Sequence, residues 1–384
     1  MEKYDVIIVG AGPAGSTAAY YINNLKVLII DKFDFPRDKA CGGGLLNSLD
    51  WPLEFDNFKK IEPRLRKYSN STANAYWNKM PVASFKPNHF FDQVKRSEFD
   101  HLLLQETLLK ENISFQKFNL KQIKKINQEG QQGFIISDGE KEIFSRFLIG
   151  ADGVYSLVSR FLGNKPLSIN QSGLCLEYDI VCEKKSLDVH LIGGFGREIG
   201  YSWIFPTLEG YYVGLGIVRK PKKPLKEYLD ELLDWGVEKE FLPKNYKIRK
   251  IFGGTDPLKV PKKYCSDRIL LCGDAMGLVK IWSGEGIYYA MKSGKIAGKT
   301  ITESQTNLEK RYKQNIKATV KDVSATPYVP PRFITVNFFS VLFHLSLIPL
   351  PFGIMQKIKG FFFSIATRRN TLSKKSAYVP FQKL

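Results

Sequence analysis

"KYDVIIVGAGPAGSTAAYYINN", residues 3–24, sets an apolar run, a glycine-rich turn and a helix-forming stretch one after another. Val6 to Val9 (VIIV) read as a buried strand, and Ala14 to Tyr21 read as a helix that starts after Pro13. Between them, Gly10-Ala11-Gly12-Pro13-Ala14-Gly15 has the spacing G-x-G-x-x-G. Gly10 allows a tight turn, Gly12 lets a pyrophosphate approach the backbone, and Gly15 lets helix and strand pack closely. The free N–H groups at the helix start then face the phosphates. Glycine content alone would produce this spacing about 0.2 times in a chain of this length. The hexapeptide by itself is therefore weak, and a purely structural glycine turn is the alternative. Its place between strand and helix strengthens the dinucleotide reading. So does "KVLIIDK" (26–32), where a second apolar strand ends in Asp31, an acid suited to ribose hydroxyls.

Composition sets the outer bounds. The 384 residues, 43% hydrophobic, can bury a large core and are expected to form two interleaved domains. The N-terminus runs straight into the first strand, so no signal peptide is expected. Cysteines 41, 175, 182, 265 and 272 form no CxxC pair and are odd in number, which favours reduced thiols in a cytosol over a disulfide framework. Four scattered histidines offer no metal constellation. A formal charge of +19 points to anionic partners: phosphorylated ligands or acidic lipid surfaces. Nucleic acid ranks last, because the basic residues are dispersed and no nucleic-acid-binding motif is present.

Three further stretches repeat the nucleotide-site logic. "KRSEFDHLLLQETLLKEN" (95–112) reads as a helix with Ser97 as N-cap, Asp100 three residues on, and Phe99, Leu102, Leu103 and Leu109 in the core. Arg96, just ahead of it, is either a surface charge or a pyrophosphate ligand. "RFLIGADGVYSLVSR" (146–160) is a strand running into Asp152-Gly153, where a short acid binds a ligand hydroxyl or stabilises the turn. In "DRILLCGDAMGLVKIWSGEGIYYAMKSGKIAG" (267–298), the strand Ile269 to Leu271 leads to Gly273-Asp274 and then to a glycine-flanked helix entry at Ser283 to Ile287.

At these residues the chain resembles the FAD-dependent p-hydroxybenzoate hydroxylase superfamily and, within it, the geranylgeranyl reductase family of archaeal and photosynthetic lipid metabolism. The opening fingerprint, Asp152-Gly153, Gly273-Asp274 and "FPRDKACGGGL" (35–45) carry the resemblance, which spans roughly residues 1–310. It implies an α/β fold. A Rossmann-type FAD-binding domain (1–60, 91–165 and 265–310) would be interleaved with a mostly antiparallel β-sheet substrate domain (61–90 and 166–264). A C-terminal helical region (311–384) would follow.

By that resemblance Gly10, Gly12, Ala14 and Gly15 cradle the FAD pyrophosphate, and Asp31 takes the adenosine ribose. Arg96, Asp152 and Asp274 serve the pyrophosphate and ribityl chain. Arg37, Cys41, Gly42, Gly43 and Gly44 line the cofactor, and Ile123 offers backbone contacts to adenine. Gly286 and Ile287, with Gly284 beside them, present backbone N–H groups to the flavin. A helix N-terminus there favours the negative charge of a reduced flavin.

Between residues 166 and 262, short strand and turn patterns precede a helical "LKEYLDELLDW" (225–235). Tyr201-Ser202-Trp203-Ile204-Phe205-Pro206 matches the reductase family's Y-x-W-x-F-P. The family's following N-V-G-x-G stands here as Tyr212-Val213-Gly214-Leu215-Gly216, with tyrosine in place of asparagine. Alternation puts Tyr201, Trp203 and Phe205 on one strand face, which by itself reads as core; the resemblance implies instead the wall of an elongated apolar pocket suited to an isoprenoid chain. The expected chemistry is hydride transfer to one carbon of an isolated C=C and protonation of the other. Cys41 and Tyr201 are the side-chain candidates for proton donor, beside solvent or the flavin itself. No second dinucleotide fingerprint occurs, so the reductant is either a reduced nicotinamide bound transiently or a ferredoxin-like protein.

From Phe333 to Gln356 the chain holds no Asp, Glu, Lys or Arg, and six Lys and Arg residues follow between 357 and 375. Apolar segments beside clustered positive charge suit peripheral attachment to an anionic membrane, on the inner face of the cell membrane, or a cover over a substrate tunnel. Length alone would allow a membrane span, a reading that Asn337, His344 and the Pro349-Leu350-Pro351 break weaken. A flavin monooxygenase or halogenase and a non-catalytic flavin electron carrier are the rival functional classes, since fold does not fix chemistry.

Overall fold

In a computed structural model of the chain, the structure describes residues 1–46, 51–69, 72–85, 91–128, 131–183, 186–280 and 283–324. The C-terminal stretch 325–384, including the apolar run 333–356, lies outside the described residues.

The opening stretch forms the centre of an eight-stranded sheet. Its strand, Glu2–Val9, pairs in parallel with Glu142–Gly150 on one side (Val6 opposite Phe147) and with Val27–Asp31 on the other (Val6 opposite Val27). Ile269–Leu271 and Ile113–Lys117 extend the parallel array outward. Val6, Ile7 and Ile8 have no exposed surface, as a strand covered on both faces requires. Because the chain leaves Glu2–Val9 toward one neighbour while the other neighbour returns from far downstream, a crevice opens at the carboxyl ends of the strands.

Helix Pro13–Tyr20 closes one side of that crevice, with proline at its first turn, where no backbone donor is lost. Its small residues let helix Ile287–Glu303 lie against it. A β-carbon on Gly294 would fall 2.3 Å from the Ala14 carbonyl oxygen, and one on Gly298 would fall 2.3 Å from that of Ala18. Two glycines four residues apart thus bring two helix backbones into direct contact.

The second sheet has seven strands in the order Lys247–Pro257, Ser172–Val181, Gly210–Val218, Gly200–Pro206, Val189–Gly193, Ala73–Trp77 and Met80–Phe85. All of its pairings are antiparallel except Val189–Gly193 with Ala73–Trp77, which run parallel. Helix Leu225–Glu238 covers one face, burying Tyr228, Leu229, Leu232 and Trp235 against Tyr178, Ile180, Ile204 and Val213. The opposite face, carrying Tyr201, Trp203 and Phe205, looks toward the crevice. A three-stranded sheet of Gly44–Leu46, Phe91–Val94 and Lys67–Ser69 pins the cysteine–glycine loop between the two large sheets.

Two local expectations are corrected. The helix in the 95–112 stretch runs Arg96–Leu108 with Lys95 as N-cap and no side-chain cap, so Ser97 does not cap it. Asp100 is instead drawn into ion pairs with Arg96 and Arg37. Phe99 and Leu103 are fully buried, but Leu109, beyond the last packed turn, is 74% exposed.

Gly294→Ala should cost about 1–3 kcal/mol through overpacking against the Ala14 carbonyl. A lowered urea midpoint with an unchanged slope would register that loss, whereas an unchanged midpoint would show that the two helices have room to part.

Candidate active site

A cavity of about 980 Å³ fills the space between the carboxyl ends of the parallel strands and the open face of the antiparallel sheet. That volume sits near the top of the roughly 300–1,000 Å³ range of ligand pockets. Its nucleotide end is built on the opening fingerprint. Gly10 has φ +103°, and a β-carbon there would lie 2.3 Å from the Ala151 carbonyl oxygen. Gly10, Gly12 and Ala14 line the cavity. Gly15 does not: a β-carbon on it would sit 1.8 Å from the Gly10 oxygen, so it serves the close packing of turn and helix. Asp31, at the end of its strand, accepts from the Ala11 N–H at 3.0 Å and the Phe33 N–H at 3.1 Å, and its side chain borders the cavity.

Arg37 lies against Gly12, its Nη2 3.3 Å from where a β-carbon would stand, which makes it a cation poised over the glycine turn. Arg96 also lines the cavity but is tied by two 2.9 Å hydrogen bonds to Asp100, which is wholly buried. Burial opposes the Arg96 charge, yet Asp100 beside it prevails and holds the guanidinium above its ordinary range.

Asp152 has a divided role. Its Oδ2 accepts from the Leu157 N–H at 2.6 Å and the Val158 N–H at 3.3 Å, holding the following helix. Its Oδ1 is buried without a partner at the cavity wall. An orphaned acceptor there costs about 1–3 kcal/mol unless a ligand donor meets it. Asp274 is paired with Lys39 at 3.1 Å. Gly284, Gly286 and Ile287 border the cavity where Gly286 caps helix Ile287–Glu303, leaving that helix's first N–H groups directed into the space. Glu285 between them has a second orphaned buried oxygen, and burial pushes its carboxyl up to about 7. Glycine turn, Arg37, two unpartnered carboxyl oxygens and a helix N-terminus form a donor and acceptor set that fits a flavin dinucleotide. Ile123 lies away from this set, packed against the first core, and Phe118, Asn119 and Leu120 reach the cavity instead.

At the far end, Cys41 to Gly44 pass beneath the aromatic face. Gly43, at φ +68°, accepts at its carbonyl from the Val94 N–H at 2.9 Å, and its own N–H donates to Cys41 Sγ at 3.4 Å. A β-carbon on Gly42 would stand 3.1 Å from the Phe205 ring, so the loop touches the wall. Trp203 and Phe205 stack with centroids 6.0 Å apart, and Tyr201 leans on Trp203 at 5.5 Å. Tyr201 donates to the Ser283 carbonyl at 3.0 Å, and enclosure holds its phenol above the ordinary range. That is a poor setting for an acid. Tyr212 packs behind Trp203 and Phe205 and does not reach the cavity.

The sequence reading missed the carboxyls on the antiparallel sheet. Glu177 is 3% exposed and accepts from Trp203 Nε1 at 2.9 Å. Burial pushes it up to about 8, despite the Trp203 hydrogen bond, and the Asp179 charge adds to the rise. Asp256 accepts from Cys175 Sγ at 3.3 Å, and burial together with Asp274 pushes it up to about 6. The available signal was the alternation Cys175, Glu177, Asp179, which in isolation reads as a solvent-facing strand face.

Set beside known proteins, the chain finds close company. It is 32% identical to an uncharacterised protein of Methanosarcina barkeri, over 93% of this chain and 90% of that one. It is 31% identical to the digeranylgeranylglycerophospholipid reductase of Methanococcus vannielii, over 79% of this chain and 78% of that one. The chain belongs to the digeranylgeranylglycerophospholipid reductase family. No protein-family model matches it. In fold, the family member is similar to a geranylgeranyl bacteriochlorophyll reductase-like protein of Thermoplasma acidophilum (TM-score 0.70, 22% identity, 96% of this chain and 98% of that one). It also resembles a flavin-dependent brominase (TM-score 0.67, 18% identity, 94% of each chain). Among the described residues no helix is long and apolar enough to cross a membrane.

Arg96→Met should cost about 3–5 kcal/mol, because it strands the buried Asp100 carboxylate with only Arg37 at 3.5 Å. Adding Asp100→Leu should recover much of the loss in the same denaturation measurement. No recovery would mean that the pair is not what stabilises this junction.

Proposed function

We propose that this protein is an FAD-dependent oxidoreductase that saturates C=C bonds in the geranylgeranyl chains of a phosphorylated glycerol ether lipid precursor, in membrane lipid biosynthesis. One observation carries the reading. A single cavity joins a dinucleotide turn to the Tyr201-Trp203-Phe205 wall, in a chain belonging to a family of named reductases.

Bound FAD would supply a hydride at its reactive nitrogen. The chain's own residues do the rest. Gly12 leaves the backbone open to the pyrophosphate, with Arg37 against it to balance charge. Asp31 retains lone pairs for ribose hydroxyls, and Asp152 Oδ1 and Asp274 stand where a ribityl chain would pass. The N–H groups after Gly286 favour negative charge at the ring's edge. The stacked aromatic wall excludes water and gives a prenyl chain a flat apolar surface.

Electrons reach the site from a reduced nicotinamide or a ferredoxin-like donor, and the substrate is taken from an anionic membrane surface against which the protein lies peripherally. The strongly basic chain supports this last point. The brominase-like structure is alike in fold alone and favours no second chemistry.

The test is anaerobic. The purified flavoprotein is chemically reduced, a digeranylgeranyl phospholipid is added, and the lipid is followed by mass spectrometry. Gains of about two mass units per double bond are expected, one hydride and one proton each. An unchanged lipid beside flavin that reoxidises rapidly in air would overturn the reading.

Two variants divide the cavity. Gly12→Val should purify without flavin absorbance, because its side chain occupies the phosphate approach; retained flavin would contradict that. Trp203→Phe keeps the packing and should retain FAD while slowing alkene reduction roughly 10-fold or more, about 1.4 kcal/mol of barrier. Equal turnover would remove the indole from the reacting end.

A further inference from the structure

Saturating an unactivated alkene consumes one proton for every hydride, and that proton must come from a group the substrate can touch. The cavity lining holds such a group beside the aromatic wall. Glu177 lies on strand Ser172–Val181 opposite Gly214. The glycine matters, because a β-carbon on Gly214 would stand 2.4 Å from the Trp203 ring. The missing side chain lets the indole lie flat across the strand and place Nε1 2.9 Å from Glu177 Oε2. A second donor, the Cys41 backbone N–H, is directed at the same carboxyl. Glu177 also lines the cavity. The carboxyl is thereby clamped between the indole and the cysteine–glycine loop, at the end of the cavity away from the nucleotide turn.

We propose that Glu177 is the acid of this site, donating its carboxyl proton to the alkene carbon that does not receive the hydride. The assignment rests on the reading of the cavity as an alkene-reducing site. In the balanced step, a hydride carrying two electrons arrives at one carbon from reduced flavin, which is oxidised. The Glu177 O–H bond breaks as a C–H bond forms at the other carbon, and the π bond is consumed. Glu177 is left as a carboxylate and recovers its proton from solvent before the next turnover.

Its surroundings keep it loaded. On its own strand it faces Cys175 and Asp179. Tyr212 approaches from the neighbouring strand Gly210–Val218, Tyr201 from the strand beyond it and Cys41 from the loop, with Arg249 beside Asp179 on the edge strand. Arg249, the cation in this set, is already committed to Asp179 at 2.8 Å and to Glu209. No free positive charge in this set competes for the proton, and burial keeps the group neutral up to about pH 8. Tyr201, by contrast, has its hydrogen engaged by the Ser283 carbonyl.

Glu177→Gln is the deciding variant, because the amide oxygen can still accept from Trp203 while the titratable proton is gone. In the full-length flavoprotein it should leave flavin binding and flavin reduction unchanged and slow single-turnover saturation of a digeranylgeranyl phospholipid by roughly 100-fold or more. The wild-type rate should fall tenfold per pH unit above about 8 as the acid is lost, a limb that the variant lacks. Infrared difference spectra, wild type minus variant and read without substrate, should show a protonated carboxyl that disappears over the same pH range.

Glu177→Asp, which keeps an acid, should restore the pH limb and part of the rate. An aspartate variant as slow as the glutamine one would assign the loss to packing and overturn the proposal. A glutamine variant with wild-type rate and pH profile would overturn it while leaving the reductase reading intact. A Cys41→Ala variant that abolishes product while Glu177→Gln does not would move the role to Cys41. A wild-type protein that leaves the lipid unchanged defeats the reductase reading, and this assignment with it.

Discussion

The contact between Gly10 and Ala151 sets the geometry of the whole molecule. The ends of two parallel strands come so close that a β-carbon on Gly10 would stand 2.3 Å from the Ala151 oxygen, a separation no side chain tolerates. From that contact the chain turns one way into helix Pro13–Tyr20 and the other way into Asp152 and its short helix. The crevice between them is where a pyrophosphate can meet bare backbone. Helix Ile287–Glu303 is held against the same corner by Gly294 and Gly298, so its N-terminus opens into the same cavity. Three segments far apart in sequence converge because Gly10, Gly294 and Gly298 each lack a side chain where a neighbouring backbone carbonyl needs room.

The antiparallel sheet solves a different problem. One of its faces must bury apolar surface under helix Leu225–Glu238, and the other must line a cavity that holds both rings and an apolar chain. Strand alternation does both, sending Tyr178 and Ile180 to the helix and Cys175 and Glu177 to the cavity. A carboxyl on such a face is expensive as an anion and cheap as an acid. Burial is the largest cause of the raised pKa of Glu177 and Asp256 on this sheet, with the charges of Asp179 and Asp274 adding to it, and it raises Glu285 at the helix entry as well. Of the three, Glu177 is the one held protonated at neutral pH, which suits it to give a proton away.

The nucleotide end was largely legible in the chain. Apolar runs of strand length, a glycine turn and a terminal aspartate are local patterns, and local patterns survive into the fold. The Tyr201-Trp203-Phe205 wall was legible for the same reason, as strand alternation. What resisted reading was tertiary. Asp100 three residues after Ser97 imitates a helix cap, and only the approach of Arg96 and Arg37 shows that it is an ion-pair partner. Glu177 sits in an alternating polar pattern that a solvent-facing strand would also show. Ile123 lies in a plausible strand, yet the chain turns toward the cavity five residues earlier, at Phe118. The apolar, basic C-terminal stretch, where the sequence suggests a membrane-facing segment, falls outside the described residues.

The account stands on one cavity serving both a flavin and a prenyl chain. The most direct measurement is an anaerobic titration of the oxidised flavoprotein with a digeranylgeranyl phospholipid, monitored through the visible spectrum of the flavin. A prenyl chain laid along the Trp203 wall must change the polarity at the flavin ring. The spectrum should therefore shift and saturate at one lipid per chain. Lipid that binds, as shown by cosedimentation with vesicles, while the flavin spectrum stays unchanged to saturation would place the two ligands in separate sites and contradict the account.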